Sequence, residues 1–107
     1  MQKSIKEVLD TYIEHISSLD EVKQIYLFGS HAYGEPHERS DIDLMVLIDD
    51  NLDTRKVSLK ISKDLAGKSI IPLDVLVNPK TAFYTAAGEP TIQRQIKNEG
   101  VLLYDTN

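Results

Sequence analysis

Asp41 and Asp43 stand one residue apart at the start of an apolar run, Ile42 and then Leu44-Met45-Val46-Leu47-Ile48. In an extended strand residues i and i+2 share a face, about 6.6 Å apart along the backbone. Carboxylates so placed can converge on one divalent ion. Hard oxygen ligands of this kind suit Mg²⁺, which keeps waters and takes substrate phosphates as further ligands. An Asp-x-Asp pair on its own is more often decoration of a turn or strand start. Two features favour chemistry here. Like charges side by side at the mouth of an apolar strand repel and need compensation. Asp74 interrupts a second apolar run, Ile70 to Val77, where an unpaired buried carboxylate would be costly. A Lys or Arg partner for Asp74 is the plainer alternative; a cation shared by neighbouring strands would offset all three charges.

A second signal is Gly29-Ser30, directly after the β-prone run Ile25-Tyr26-Leu27-Phe28. A helical turn opening at Ser30 would aim backbone N–H groups and a hydroxyl at an incoming phosphate. Glycine lets that phosphate approach without a Cβ in the way. Such a pair is weak evidence alone, since most are only turns. His31 and His37 flank the following loop, but their spacing has no metal-ligand signature. Tyr33 can stack on a base or simply pack over the loop. Asp49-Asp50 reads as a solvated turn before a helix, and His15 needs no role.

These residues must be held by a scaffold. Ile5, Val8, Leu9, Tyr12, Ile13 and Ile16 follow the spacing of an amphipathic helix that stops between Ser17 and Asp20. Strands are expected over 25–28 and 42–48, the latter apolar enough to be central. A polar loop over 31–40 separates them. Asp53 is expected to cap a helix that buries Val57, Ile61 and Leu65 and stops at Gly67. The strand over 70–77 has an early Pro72, which indicates an edge or a bulge. A short helix over 81–87 follows, then one opened by Pro90 with Ile92 and Ile96 inward and Gly100 at its end, then a strand over 101–104. The fold class is α/β (α+β): a small mixed β-sheet of about 3–4 strands flanked by helices.

The chain has 107 residues, 41% hydrophobic and 27% charged, with no cysteine. This composition fits one domain over 1–107, without disulfides or thiolate metal sites. No run approaches the roughly 18 apolar residues of a membrane span, so a cytoplasmic protein is the expectation. The net charge is −5 and the basic residues are scattered, which argues against bulk nucleic-acid binding. A single nucleotide bridged by a divalent metal remains compatible with that charge.

Gly29-Ser30, ten further residues, Asp41-x-Asp43 and the distant Asp74 together resemble the signature of the DNA polymerase β-type nucleotidyltransferase superfamily. The stretch GSHAYGEPHERSDIDLMV and the closing EGVLLY are similar to its minimal nucleotidyltransferase (MNT) branch, and the resemblance covers nearly the whole chain. It implies a nucleotidyltransferase fold in which Asp41, Asp43 and Asp74 hold two Mg²⁺ ions, Asp43 bridging them. Gly29 and Ser30 would hold the β- and γ-phosphates of ATP, and Asp74 would help activate an attacking hydroxyl. Many members carry Arg where this loop, Ala32-Tyr33-Gly34, has Tyr33, leaving that charge absent or supplied by Arg39 or a partner. For function the resemblance implies an antitoxin that transfers AMP onto a hydroxyl, typically of tyrosine, on a partner HEPN-type RNase toxin. The alternatives are an antitoxin that neutralises by binding alone and a small-molecule transferase of the antibiotic-adenylating kind. A template-directed polymerase ranks last.

Overall fold

The computed structural model describes residues 4–34, 41–68 and 71–106. A four-stranded sheet runs in the order β3-β2-β1-β4, formed by β1 (Val22–Phe28), β2 (Ile42–Ile48), β3 (Leu73–Pro79) and β4 (Val101–Asp105). β1 is antiparallel to both β2 and β4, whereas β2 and β3 are parallel. A parallel pair needs a crossover, and α3 (Thr54–Leu65) supplies it.

Two apolar layers cover the sheet. α1 (Ile5–Ser17) and α3 pack on one face, where Val8, Tyr12 and Ile16 meet Ile25, Leu27, Ile42, Leu44, Val46, Val57 and Ile61. The opposite face receives α4 (Lys80–Ala86) and α5 (Ile92–Glu99), with Phe83 and Ile96 set against Tyr26, Phe28, Met45 and Leu47. β2 is therefore central and covered on both sides. Its alternate residues Met45 and Leu47 are fully buried, so the face that carries Asp41 and Asp43 becomes apolar two residues further along.

The sequence signals for helix ends are mostly used as expected. Asp53 caps α3 by accepting from the Arg55 and Lys56 amides, and Gly67 (φ +75°) follows the last turn. Several details differ. β3 runs Leu73–Pro79 rather than over 70–77. β1 begins at Val22, because Val22 still finds a partner in Ile48. α5 is capped by Thr91, which accepts from the Arg94 amide, and Pro90 lies outside it. Ile92 is not inward: it is 48% exposed. The inward stripe of α5 is Gln93 and Ile96, at i and i+3, with Gln93 Nε2 reaching Asn78 Oδ1 at 3.3 Å. Asp50 is more than a solvated turn residue. Its Oδ1 accepts the Thr81 amide at 2.9 Å, capping α4, whose own N-cap Pro79 makes no side-chain bond. β3 lies at the sheet edge, as Pro72 indicated.

A polar chain crosses the α4 side of the sheet. The Tyr26 and Tyr84 hydroxyls lie 3.0 Å apart, Tyr84 donates to Gln24 Oε1 at 2.8 Å, and Gln24 Nε2 donates to Asp105 Oδ2 at 3.2 Å. Gln24 is buried and its amide is satisfied, so this chain ties β1, β4 and α4 together without an orphaned polar group. His15 contributes a contact between α1 and α3, its Nδ1 lying 3.5 Å from Asp64.

Candidate active site

The ends of three strands meet at one edge of the sheet. β1 ends at Phe28 where β2 begins, because the two run antiparallel, and β3 starts beside β2 because those two are parallel. Phe28 pairs with Asp43, and Asp43 pairs with Asp74. In-register partners on neighbouring strands point to the same face, about 4.8 Å apart in the pairing direction. Asp43 and Asp74 are therefore side by side on the face that α4 and α5 cover further along. Asp41 follows on the same edge through the i, i+2 relation and is exposed.

Gly29 sits against this row. Its φ is +75°, in the left-handed region, and a Cβ built on it would lie 2.2 Å from Asp43 Oδ2. Only a glycine lets the chain turn here and leave the carboxylate in place. The turn then enters α2 (Ser30–Tyr33), in which the Ala32 and Tyr33 amides bond back to the Gly29 carbonyl. The Ser30 amide, first in the turn, has no acceptor within it.

The electrostatics identify Asp43 as the centre of the group. Burial raises its pKa above the ordinary aspartate value, the negative charges of Asp74 and then Asp41 raise it further, and His31 opposes them. Among the described residues no Lys or Arg is ion-paired with any of the three. The basic partner considered for Asp74 is thus not found there. Asp74 is nevertheless exposed rather than buried, because β3 is an edge strand, so the expected burial penalty does not arise at that residue. The excess negative charge is felt at Asp43 instead.

Among the described residues no three His, Asp or Glu side chains stand close enough to enclose an ion. The cluster is open. Mg²⁺ is commonly held by one or two carboxylates plus substrate phosphates and water, so an open set of hard oxygen donors with no Lys or Arg ion-paired to it among the described residues fits that ion. Arg39 and His37 lie outside the described residues. The residue that sequence reasoning missed is His31, treated as a bystander, whose position after Ser30 brings its charge within range of Asp43.

A family model described as polymerase beta, nucleotidyltransferase, matches residues 4–107. The chain belongs to this nucleotidyltransferase family. Among curated relatives, a protein of Methanocaldococcus jannaschii named as a candidate protein adenylyltransferase is 29% identical over 99 residues, covering 91% of this chain and 96% of that one. Among solved structures, a toxin–antitoxin complex with AMP-PNP gives a TM-score of 0.64 at 24% identity, covering 97% of this chain and 76% of its counterpart. A tri-AMPylated Shewanella oneidensis HEPN toxin in complex with MNT antitoxin gives 0.53 at 22% identity, covering 94% and 72%. At such identities the two structures establish that this nucleotidyltransferase shares their fold.

Proposed function

We propose that this chain is a Mg²⁺-dependent protein adenylyltransferase of the MNT branch, an antitoxin that transfers AMP from ATP to a tyrosine hydroxyl of a HEPN-type RNase toxin. The reading rests on one arrangement: Gly29 against Asp43, and Asp43 in register with Asp74, at one end of the sheet. The names of the curated relative and of the solved complexes point the same way.

Ser30 and the Gly29 turn hold the β- and γ-phosphates through the backbone and the hydroxyl, which places the α-phosphorus over Asp43. The phenolic oxygen of the acceptor attacks that phosphorus. A new O–P bond forms, the bond to the bridging α–β oxygen breaks, and pyrophosphate leaves toward Ser30. Asp74, on the far side, orients the hydroxyl and receives its proton on the way to solvent. Two Mg²⁺ ions held by Asp41, Asp43 and Asp74 would neutralise the triphosphate and lower the pKa of the attacking hydroxyl. The compartment that fits is the cytoplasm; among the described residues no helix is long and apolar enough to cross a membrane.

The test is incubation with α-labelled ATP, Mg²⁺ and the protein encoded by the neighbouring gene, in parallel with an Asp41→Asn/Asp43→Asn variant. Label on the partner that the variant fails to produce is the expected result. Tyr33, 38% exposed where many members carry Arg, favours a second reading, neutralisation by binding alone. Protection of the partner by both forms without label would establish that reading and sink the first.

A further inference from the structure

The strand order fixes the side from which an acceptor must come. In-line displacement puts the attacking oxygen opposite the leaving pyrophosphate. With the triphosphate held at the Gly29-Ser30 turn, at the end of β1, the opposite side is β3, two inter-strand steps or about 10 Å away. β3 has no neighbour on its outer side among the described residues. Half of its backbone N–H and C=O groups therefore face outward, a ready template for another extended chain. Leu76, two residues beyond Asp74 on the same face, is 41% exposed, and Leu59 on α3 is 59% exposed.

Between α3 and this edge runs a groove of about 430 Å³, lined by Arg55, Ser58, Leu59, Val75, Leu76 and Val77 among others. Among the described residues Arg55 is the one charged side chain on its wall, in a chain whose net charge is −5. The wall is otherwise aliphatic or hydroxylic. An apolar segment bearing an acidic residue at one end complements it.

We propose that the outer edge of β3 and the α3–β3 groove dock an extended segment of the acceptor protein, apolar with an acidic residue facing Arg55. Strand addition along β3 gives such a segment main-chain hydrogen bonds, and the groove selects its alternate side chains. Asp74 lies on the α4 face and the groove on the α3 face, so it is the segment's residues alternating to the α4 side that carry the acceptor hydroxyl to Asp74, from the side that in-line attack requires. The proposal rests on the adenylyltransferase reading for its purpose, but its contacts are independent of the chemistry.

The experiment uses Leu59→Glu and Leu76→Glu, both at exposed positions, with Leu102→Glu as control. Leu102 is 43% exposed on β4, the opposite edge of the sheet. Affinity for the protein encoded by the neighbouring gene is measured by calorimetry, together with the KM for that protein in AMP transfer and the Kd for ATP with Mg²⁺. Circular dichroism establishes that each variant is folded. Leu59→Glu and Leu76→Glu should weaken partner binding at least tenfold with ATP binding unchanged, while Leu102→Glu stays within twofold of wild type. Hydrogen exchange should show new protection in β3 on complex formation. The proposal is overturned if the β3-side variants bind as wild type does, if Leu102→Glu weakens binding equally, or if wild type does not bind that protein. Label transfer that survives both β3-side changes sinks the docking surface alone. Binding lost in those variants, with no label ever transferred by wild type, sinks the catalytic reading alone.

Discussion

Asp43 lies partly buried between Asp41 and Asp74 and directly under Gly29. Its raised pKa has a sign that can be worked through. A carboxyl that holds its proton more tightly in the folded chain favours folding at low pH, and that contribution is lost as pH rises through the folded value. In chelator, Asp43→Asn should gain thermal stability relative to wild type as pH rises above the ordinary aspartate range, as calorimetry would register; no such divergence would mean the charges are already compensated. The same variant should lose roughly a thousandfold in AMP transfer, equivalent to about 4 kcal/mol of transition-state stabilisation. Gly29→Ala places a methyl into the Asp43 carboxylate at a left-handed φ. It should cost about 1–2 kcal/mol in urea unfolding and at least tenfold in transfer rate. A rate equal to wild type would show that the turn does not position the carboxylate.

At the scale of elements, α4 is held in place by contacts far apart in sequence. Phe83 is fully buried, stacked on Tyr26 at 5.6 Å and edge-on to Tyr84 at 5.0 Å. Phe83→Ala should cost about 3–5 kcal/mol, a large part of the stability of a small domain, and urea titration measures it. Asp50 caps the same helix from the loop after β2. Hydrogen bonding with the Thr81 side chain, and then with the Thr81 amide, holds the Asp50 carboxyl below the ordinary aspartate value, so its contribution is present at neutral pH and lost as pH falls through the folded value. Asp50→Ala should therefore melt below wild type at pH 7, with the difference shrinking in acid. A gap that is constant with pH would argue against the carboxylate as the cap. The helix starts and stops flagged by Asp53, Gly67 and Gly100 are local events and were legible from sequence. The cap on α4 was not, because its acceptor comes from another loop.

For the whole molecule, ligand linkage provides the broadest check. A ligand that binds only the folded chain stabilises it by about 2.7 kcal/mol at a hundredfold excess over Kd. ATP with Mg²⁺ should raise the melting temperature of wild type, and each alone should do much less if the phosphates complete the open carboxylate set. Asp41→Asn/Asp43→Asn should show almost no shift. An equal shift in that variant would place the nucleotide elsewhere. The sheet makes this cooperation possible, since one end of it collects the Gly29 turn, Asp43 and Asp74, while its two faces supply separate cores.

Sequence alone determined the order of elements, the central place of β2, the Asp41–Asp43 spacing and the Gly29-Ser30 turn. These follow from periodicity, local conformational preference and motif spacing, which act over a few residues. The pairing of Asp43 with Asp74, the exposure of Asp74 and Ile92, and the capping of α4 by Asp50 were decided by tertiary structure. Register between β2 and β3 depends on how α3 carries the chain across the sheet, and the phase of α5 depends on whether Gln93 or Ile92 meets Asn78. Packing between distant segments settles such choices, and neither segment records the outcome by itself.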